Sequence, residues 1–515
     1  MIGTNVRRLA LYLVLAFAVV SGGLTWWQVL DAQTLAARPD NPEVIAARRT
    51  MPRGSIYDAR GRLLASTRLV AGLSRRSYTD PAFAHVLGYA SLRFGTTGLE
   101  RAWDDVLSGR TDPNPLNDLV NDILAREPVP SDLTLTIDGR LQDFAAQQLG
   151  ADAGAVVALD PRTGAVLAMT STPSFDATDI AGDPGTAGSA MARIQDQPGH
   201  PLVDRDRQGH YTPGSIMKIV TASAGLDSGA ITPQTTFADQ PRQETEGFVV
   251  QGFRVREHDL SPVRPALWPL SEALQVSSNI FFAHVGLEVG AETYLEYAKR
   301  FGFCAPLEIG PAPRVLSVAA SFVTAEKDGG CADFSDRAEL AQAAFGQGRV
   351  AVTPVQMALV AATIANDGVM PDPFVVRDLR THVNRAANGP SDRILETYQP
   401  GGGKRVVSSR TAAQVRSAMV DAVQGQLGRL YAGGGAVTNY GVSGVSTAGK
   451  TGTAELGPNT PPHSWFIGFA PAQDGETPAI AVAVIVESGG SGSGRAAPIG
   501  GAVMAEWLKL LKQGD

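Results

Sequence analysis

The sequence predicts an α+β fold, an antiparallel sheet flanked by helices, preceded by a membrane helix and a smaller, mainly β unit. Three observations predict this architecture. An uncharged apolar run lies near the N terminus, at Leu9–Leu30. Short strand-like segments separated by turn residues follow it, up to about residue 150. From Gly154 onwards strand-like and helix-like segments alternate, which is typical of a mixed fold.

Length and composition restrict the class of protein. The chain has 515 residues, which at roughly 150 residues per domain predicts two to four domains. Its 44% apolar and 18% charged residues exclude a disordered chain or a coiled coil. The formal net charge is −7, and Lys and Arg form no basic stripe. Because phosphate binding requires a concentrated basic surface, no nucleic-acid partner is expected.

The apolar run predicts a transmembrane helix. Its 22 residues match the roughly 20 that span a bilayer core. An arginine pair precedes it and a tryptophan pair lies near its far end, as expected for the cytoplasmic and outer interfaces. A cleaved signal peptide is the alternative, but its apolar region usually has only about 7–15 residues. We therefore expect a cytoplasmic tail at 1–8, a single membrane helix at 9–30, and the rest of the chain outside the cell membrane.

The outer part divides near residue 150. In residues 31–150, two short strands around a turn at Ala59–Gly61, a strand at Leu133–Ile137 and a helix at Arg140–Leu149 are predicted. Residues 151–515 begin with a clear hairpin signal and form the larger unit. The short apolar runs Val355–Ile364 and Ala479–Val486 are interpreted there as a core helix and a buried strand.

Cysteine and histidine patterns point to no metal site. Cys304 and Cys331 are too few for a disulfide scaffold and lack metal-binding spacing. Outside the cytoplasm they could form one bridge, and two separate thiols are the alternative. The seven histidines include no His-Glu-x-x-His or comparable cluster, so no metal and no other cofactor is expected.

A first motif, Ser215-x-x-Lys218, follows a Pro-Gly break and is predicted to begin a helix. Ser215 would lie in the first turn, where unpaired N–H groups favour negative charge, and Lys218 one turn further on the same face. Apolar neighbours would desolvate Lys218 and lower its pKa, and a neutral amine beside a serine is a workable general base. Taken alone, this motif is weak evidence of catalysis, and a surface lysine after a helix cap is the favoured interpretation.

A second motif, Ser277-Ser278-Asn279, lies between two apolar helical stretches. Hydroxyl and amide groups are costly to bury beside Ile280 and Phe281 unless they find partners, and a catalytic cleft would supply them. An ordinary helix cap is the alternative.

A third motif, Lys450-Thr451-Gly452-Thr453, is predicted to lie on the first strand of an antiparallel meander. Glycine in the strand allows close approach of another backbone. An edge strand can add a substrate peptide, and Lys450 with two hydroxyls would then bind its carboxylate. The alternative is an ordinary edge strand whose lysine discourages aggregation.

The three motifs occur together and in the order shared by penicillin-binding proteins and class A β-lactamases. The chain resembles the penicillin-binding protein family over nearly its whole length, and within it the monofunctional class B transpeptidases. Further matching stretches are Arg53-Gly54-x-Ile56-x-Asp58, Gly98-Leu99-Glu100 and Gly346-Gln347-Gly348. The short first unit and the lack of additional C-terminal domains resemble an actinobacterial subfamily. The resemblance implies the serine β-lactamase/transpeptidase fold, with a pedestal or dimerisation-like domain at 31–150 and a transpeptidase domain at 151–515.

The resemblance also implies a peptidoglycan D,D-transpeptidase that is acylated by β-lactam antibiotics. Ser215 would attack the penultimate D-Ala carbonyl of a stem peptide ending in D-Ala-D-Ala, and Lys218 would accept its proton. Ser277 would relay a proton to the leaving amine, and Asn279 would hold the substrate amide. The backbone N–H groups of Ser215 and Thr453 would form the oxyanion hole.

The third motif would bind the terminal carboxylate of the same peptide, through Lys450, Thr451, Gly452 and Thr453. Lys450 would in addition help to keep Lys218 neutral by repulsion between like charges.

Two other functions remain as alternatives. A hydrolase, either a D,D-carboxypeptidase or a β-lactamase, differs only in the acceptor, although no Glu-x-x-x-Asn pattern of class A β-lactamases lies between Asn279 and Lys450. A non-catalytic, β-lactam-binding scaffold of the division machinery would not need the complete motif set. The pedestal is too short for a glycan polymerase domain, so a separate polymerase is expected as a partner.

Overall fold

A computed structural model describes residues 2–27, 52–110, 129–261, 263–382, 389–431, 442–457 and 459–513. The end of the expected membrane helix and parts of the expected pedestal, at 28–51 and 111–128, lie outside these residues.

The helices and strands of the described residues are numbered along the chain. The helices are α1 Ile2–Thr25, α2 Ala84–Leu87, α3 Gly98–Ala102, α4 Asp104–Leu107, α5 Gly139–Leu149, α6 Ala177–Ala181, α7 Ala187–Gln195, α8 Lys218–Asp227, α9 Gln240–Glu246, α10 Leu270–Gln275, α11 Asn279–Val289, α12 Ala291–Arg300, α13 Arg337–Ala344, α14 Pro354–Ala365, α15 Ser409–Gln424, α16 Gln426–Tyr431 and α17 Ala496–Lys512. Single 3₁₀ turns lie at Pro81–Phe83 and Gly214–Met217. The strands are β1 Ile56–Tyr57, β2 Leu63–Val70, β3 Leu73–Tyr78, β4 Ala90–Ser91, β5 Gly95–Thr96, β6 Ser131–Leu135, β7 Gly154–Leu159, β8 Val166–Thr172, β9 Phe248–Val250, β10 Phe253–Val255, β11 Leu307–Ile309, β12 Leu316–Val318, β13 Glu326–Lys327, β14 Gly330–Cys331, β15 Val369–Met370, β16 Val376–Thr381, β17 Ile394–Thr397, β18 Lys404–Arg405, β19 Ala448–Ala454, β20 His463–Ala470 and β21 Ile480–Val486.

The first helix, α1, is apolar along most of its length. Its segment Asn5–Thr25 is long and apolar enough to cross a membrane, judged by length and composition. Its large apolar side chains are exposed, which is the arrangement that a lipid environment would cover.

A five-stranded antiparallel sheet forms the centre of the larger unit, in the order β19-β20-β21-β7-β8. Alternate residues of its inner strands face opposite sides. Val156 and Val484 pack with α5 and α17, whereas Val157 and Ile485 belong to the core on the other face. Because helices cover both faces, β20 and β21 are almost completely buried. This is the expected antiparallel sheet flanked by helices, with β19 at its edge.

The helix at 139–149, predicted from sequence as Arg140–Leu149, belongs with this central sheet. Leu141, Ala145 and Leu149 are completely buried against it. The domain boundary expected from sequence, near residue 150, would assign this helix to the pedestal. In the structure its apolar face is covered by the central sheet. We therefore place the boundary before the helix, close to Asp138.

The pedestal is built around a six-stranded sheet in the order β17-β16-β6-β1-β2-β3. The predicted turn at Ala59–Gly61 joins β1 to β2, which pair antiparallel, and β1 pairs with β6 in parallel. Two of the six strands, β16 and β17, come from residues 376–397 of the second half of the chain. The two units are therefore interlocked through this sheet, which no contiguous division of the sequence describes.

The motif residues of the pedestal form a buried ionic cluster. The completely buried carboxylate of Glu100 accepts hydrogen bonds from Arg53 Nε at 2.5 Å and Arg76 Nε at 2.7 Å. Gly54 lies against the next strand, where a Cβ would be only 1.9 Å from the carbonyl oxygen of Ser131. A buried charge requires paired partners, which explains the arginines and the glutamate at these positions. The close approach to the neighbouring strand explains the glycine.

The two cysteines form a disulfide. Cys304 and Cys331 lie 27 residues apart in sequence, with a Cα–Cα distance of 4.9 Å. Of the two alternatives left by the sequence, the structure therefore has the bridge, which closes the loop that contains β11 to β14.

Candidate active site

The first motif begins at a tightly packed turn. Gly214 has a φ of +58°, and a Cβ there would lie 2.6 Å from the carbonyl oxygen of Thr453 on β19. On its other side Gly214 N donates to Gly346 O at 2.9 Å. Ser215 lies in the 3₁₀ turn Gly214–Met217, and the α-helix begins only at Lys218. The turn therefore places Ser215 next to the edge strand.

Lys218 joins the first motif to the second. Its Nζ lies 3.0 Å from Ser215 Oγ, 2.9 Å from Asn279 Oδ1 and 3.2 Å from Ser277 Oγ, and it also contacts the Ser277 carbonyl oxygen. That carbonyl oxygen and Asn279 Oδ1 can only accept hydrogen bonds. A neutral amine has two hydrogens, which these acceptors use, so its lone pair is left for a hydroxyl proton. The geometry suits a base that deprotonates Ser215.

The orientation of Asn279 is fixed by a bond on its other side. Asn279 Nδ2 donates to the carbonyl oxygen of Arg256 at 3.1 Å, so Oδ1 must face Lys218. Ser278 acts as the N-cap of α11, accepting from Phe281 N at 3.1 Å. Ser277 has a φ of +59°, a strained conformation for a residue with a side chain, and its hydroxyl lies between two lysines.

The third motif lies on β19 as predicted from sequence. Lys450 Nζ donates to Ser277 Oγ at 2.9 Å, and its side chain is only 4% exposed. A Cβ at Gly452 would lie 2.7 Å from Pro213 O, so the strand can pass the nucleophile turn only with glycine there. Thr451 and Thr453 line the open side of the strand, and Thr453 Oγ1 accepts from Gly492 N at 3.2 Å.

Burial controls the protonation of both amines. Desolvation lowers the pKa of the completely buried Lys218 to about 7, although the negative charge of Glu257 opposes this shift. The pKa of Lys450 is also lowered well below its usual value, first by desolvation and then by repulsion from Lys218. In the ligand-free cleft the repulsion between the two amines therefore contributes to the lowered pKa of Lys450, whereas the pKa of Lys218 is set by desolvation and by Glu257.

An open cleft of about 740 Å³ lies over the three motifs. Its walls come from the β10–α10 segment, from the α13–α14 connection and from the loop after β21. The lining residues are Ser215, Phe253, Arg254, Val255, Arg256, Glu257, His258, Asp259, Ser277, Asn279, Gln342, Phe345, Gln347, Gly348, Thr451, Thr453, Glu455, Ser491 and Ser493. All eight residues predicted from the motifs are brought together here, with Lys218, Lys450 and Gly452 behind the surface.

Sequence reasoning missed Glu257 and His258. The Glu257 carboxylate accepts from Asn279 N at 2.9 Å and from Ser278 Oγ at 2.8 Å, and His258 Nδ1 lies 2.9 Å away. The only signal in the sequence is a run of charged residues beside a short hairpin, 22 positions before Asn279.

Comparison with known families agrees with this geometry. Residues 154–505 match the family described as "Penicillin binding protein transpeptidase domain", and residues 53–132 match the "Penicillin binding protein A dimerisation domain". The chain is 36% identical to the peptidoglycan D,D-transpeptidase PbpA of Mycolicibacterium smegmatis, covering 98% of this chain and 99% of the relative. It is 35% identical, with the same coverage, to PbpA of Mycobacterium tuberculosis.

The chain belongs to the penicillin-binding protein family. The class B resemblance inferred from sequence, including its actinobacterial subfamily, is confirmed by these matches.

Solved penicillin-binding proteins have the same fold. The ceftriaxone acyl-enzyme complex of penicillin-binding protein A from M. tuberculosis superimposes with a TM-score of 0.75 at 33% identity, covering 90% of this chain and all of that one. The D,D-transpeptidase domain of a peptidoglycan glycosyltransferase from Eggerthella lenta gives 0.70 at 29% identity, covering 90% of this chain and 99% of that one. The expected transpeptidase fold with a pedestal is therefore confirmed.

Proposed function

We propose that this protein is a serine-type peptidoglycan D,D-transpeptidase, which crosslinks stem peptides through a Ser215 acyl-enzyme and is acylated by β-lactams. The observation that carries the proposal is the environment of Lys218. Its buried amine lies 3.0 Å from Ser215 Oγ, and two of its three other hydrogen-bond partners are acceptor-only oxygens. A lysine with a pKa of about 7 in this position is a competent base near neutrality.

Acylation begins when Ser215 Oγ attacks the penultimate D-Ala carbonyl and its proton passes to Lys218. The developing oxyanion is bound by the backbone N–H groups of Ser215 and Thr453, whose segments lie side by side at Gly214. Ser277, between Lys218 and Lys450, relays a proton to the leaving D-Ala nitrogen, and the C–N bond breaks. Asn279 holds the substrate amide.

The substrate carboxylate is bound by Lys450, Thr451, Gly452 and Thr453 at the edge of the central sheet. A carboxylate next to Lys450 favours the charged form of its amine. A charged Lys450 then disfavours a second charge on Lys218 through their mutual repulsion. When substrate is bound, Lys450 therefore helps to keep Lys218 neutral, as the family resemblance implies.

A side-chain amine of a neighbouring stem peptide accepts the acyl group and releases Ser215. The same acyl-enzyme would be a hydrolase intermediate if water were the acceptor. Class A β-lactamases activate this water with a glutamate. Here both oxygens of Glu257, the carboxylate that contacts the second motif, already accept hydrogen bonds.

The rest of the molecule fits an enzyme at the outer surface of a membrane. We assign residues 1–8 to the cytoplasm, 9–30 to a single membrane span, 31 to about 138 together with strands β16 and β17 to the pedestal, and the remainder to the catalytic domain. The disulfide agrees with an oxidising compartment outside the cytoplasm. A separate glycan polymerase, bound through the span or the pedestal, is the expected protein partner.

Labelling of the full chain with a fluorescent penicillin tests the nucleophile. We expect stoichiometric label on the wild type and none on Ser215→Ala. Ser228→Ala is the control and should be fully labelled, because Ser228 is an exposed serine at the C-terminal end of α8. Label on Ser215→Ala would refute the assignment.

A donor stem peptide, with and without a D-amino acid acceptor, tests the reaction. Exchange of the terminal D-Ala for the acceptor supports a transpeptidase, whereas release of D-Ala at the same rate without an acceptor would show a carboxypeptidase.

A further inference from the structure

The cleft contains two buried amines and one carboxylate buried as deeply as they are. Lys218 is completely buried, Lys450 is 4% exposed, and the Glu257 side chain is 2% exposed. The charged and titratable groups that face Glu257 are His258 in its own loop, Lys218 from α8 and Glu244 from α9. Buried charges are costly unless they are paired or hydrogen-bonded, so this carboxylate requires an explanation.

The hydrogen bonds of Glu257 converge on the second motif. Oε1 accepts from Asn279 N at 2.9 Å, and Oε2 accepts from Ser278 Oγ at 2.8 Å and from Ile280 N at 3.2 Å. The carboxylate therefore binds the first turn of α11, where N–H groups lack helical partners and the dipole favours negative charge. His258 Nδ1 holds the carboxylate from the cleft side at 2.9 Å.

The loop that carries Glu257 also fixes the orientation of the Asn279 side chain. Arg256 O accepts from Asn279 Nδ2 at 3.1 Å, which turns Asn279 Oδ1 towards Lys218. The segment 256–258 thus contacts Asn279 through both its backbone and its side chain. A displacement of Glu257 would move Asn279 and with it an acceptor of the general base.

We propose that Glu257, held by His258, is a positioning residue for acylation: it holds the Ser277–Asn279 motif against Lys218 and supplies a negative charge that acts on the buried amine of Lys218. The inference rests on the proposed function, because it takes Lys218 as the general base.

The electrostatic part of this role has a defined sign. Glu257 is kept ionised, because its contacts with His258, the charge of Lys218 and the bond from Asn279 outweigh the effect of burial and lower its pKa. Its negative charge raises the pKa of Lys218, against the larger opposing effect of desolvation. It also contributes to raising the pKa of Glu244 to about 7, after desolvation. Removal of the charge should therefore lower the pKa of Lys218.

The experiment measures the second-order rate constant of penicillin acylation against pH for the full chain in detergent. Lys218 must be neutral to act, so the wild-type rate falls as the pH drops through its pKa. For Glu257→Gln we expect a plateau rate at least about tenfold lower, and an acid limb displaced to lower pH by about half a unit or more. Glu288→Gln is the matched control, because this exposed carboxylate lies near the far end of α11 and does not line the cleft, and it should leave both unchanged.

A second variant separates charge from position. Glu257→Asp retains the charge with a shorter side chain, so its plateau rate should fall while the acid limb stays at the wild-type pH. It also carries the test alone if the glutamine variant does not fold. Wild-type plateau rates in these variants would overturn the proposal, as would an acid limb that Glu257→Gln leaves in place. Absence of acylation in the wild type would instead refute the proposed function.

Discussion

At the residue scale, the activity of this protein depends on the number of hydrogens that one amine carries. Lys218 faces two acceptor-only oxygens and the nucleophile hydroxyl. In the neutral form its donors match those acceptors and its lone pair faces Ser215, whereas a third hydrogen removes the lone pair. Burial lowers the pKa to about 7 and so makes the neutral form accessible.

The first prediction concerns this amine. Penicillin acylation of the wild type should rise with pH and level off above a midpoint near the Lys218 pKa of about 7, since deprotonation creates the base. Lys218→Arg keeps a charged side chain that does not deprotonate in this range, so above the wild-type midpoint its rate should be lower by about 10²-fold or more. Stopped-flow or gel-based labelling measures both. A wild-type rate that increases towards acid pH would contradict the assignment.

At the element scale, the cleft exists because three backbone segments approach more closely than side chains allow. The nucleophile turn lies between the edge strand β19 and the loop after α13. Gly214, Gly346 and Gly452 occupy the contact points, and a Cβ at Gly346 would lie 1.9 Å from Gly214 O. The hydrogen bond from Gly214 N to Gly346 O locks this arrangement at 2.9 Å.

Gly346→Ala should therefore displace Ser215. Gly475 is a matched control, because its φ of +84° is close to the +85° of Gly346 but nothing lies within 4 Å of its Cβ position. Gly475→Ala should cost only the backbone strain, about 1 kcal/mol of unfolding free energy, with unchanged acylation. Gly346→Ala should cost clearly more and slow acylation at least about tenfold, because a backbone contact must give way. Thermal unfolding and penicillin labelling measure the two effects, and equal behaviour of the variants would contradict the packing argument.

At the scale of the whole molecule, the pedestal and the catalytic domain are built from shared parts. Strands β16 and β17 come from the catalytic half of the chain, and β16 pairs with β6 of the pedestal on one side and with β17 on the other. Helix α5 leaves the pedestal half to cover the central sheet. Arg314 and Asp105 add an ion pair between the two halves at 2.8 Å. The pedestal therefore completes the fold of the enzyme as well as supporting it.

Two truncated chains test this interlocking. Residues 151–515, cut at the boundary drawn from sequence, lack α5 and β6, which exposes the valine face of the central sheet and leaves β16 without its partner. We expect this fragment to be insoluble or to remain unlabelled by penicillin. Residues 52–515, which lack only the N-terminal segment with α1, should be labelled at the rate of the full chain. Full labelling of the shorter fragment would show that the catalytic domain folds independently.

The apolar N-terminal helix, the antiparallel sheet with its edge strand and the three motifs that meet in the cleft could all be predicted from the sequence. Each rests on a local signal: a long apolar run, alternating apolar residues, or a short motif of known order. The turn at Ala59–Gly61 and the helix at 139–149 followed from local patterns in the same way.

The tertiary structure alone decided the disulfide, the exchange of strands and helices between the two units, and the contacts of Glu257. Each depends on segments distant in sequence that meet in space, such as Glu257 and Asn279, or β6 and β16. Local patterns specify which face of an element is apolar but do not identify the segment that covers it. The protonation of Lys218 belongs to the same class, because it depends on burial and on a charge 39 positions further along the chain.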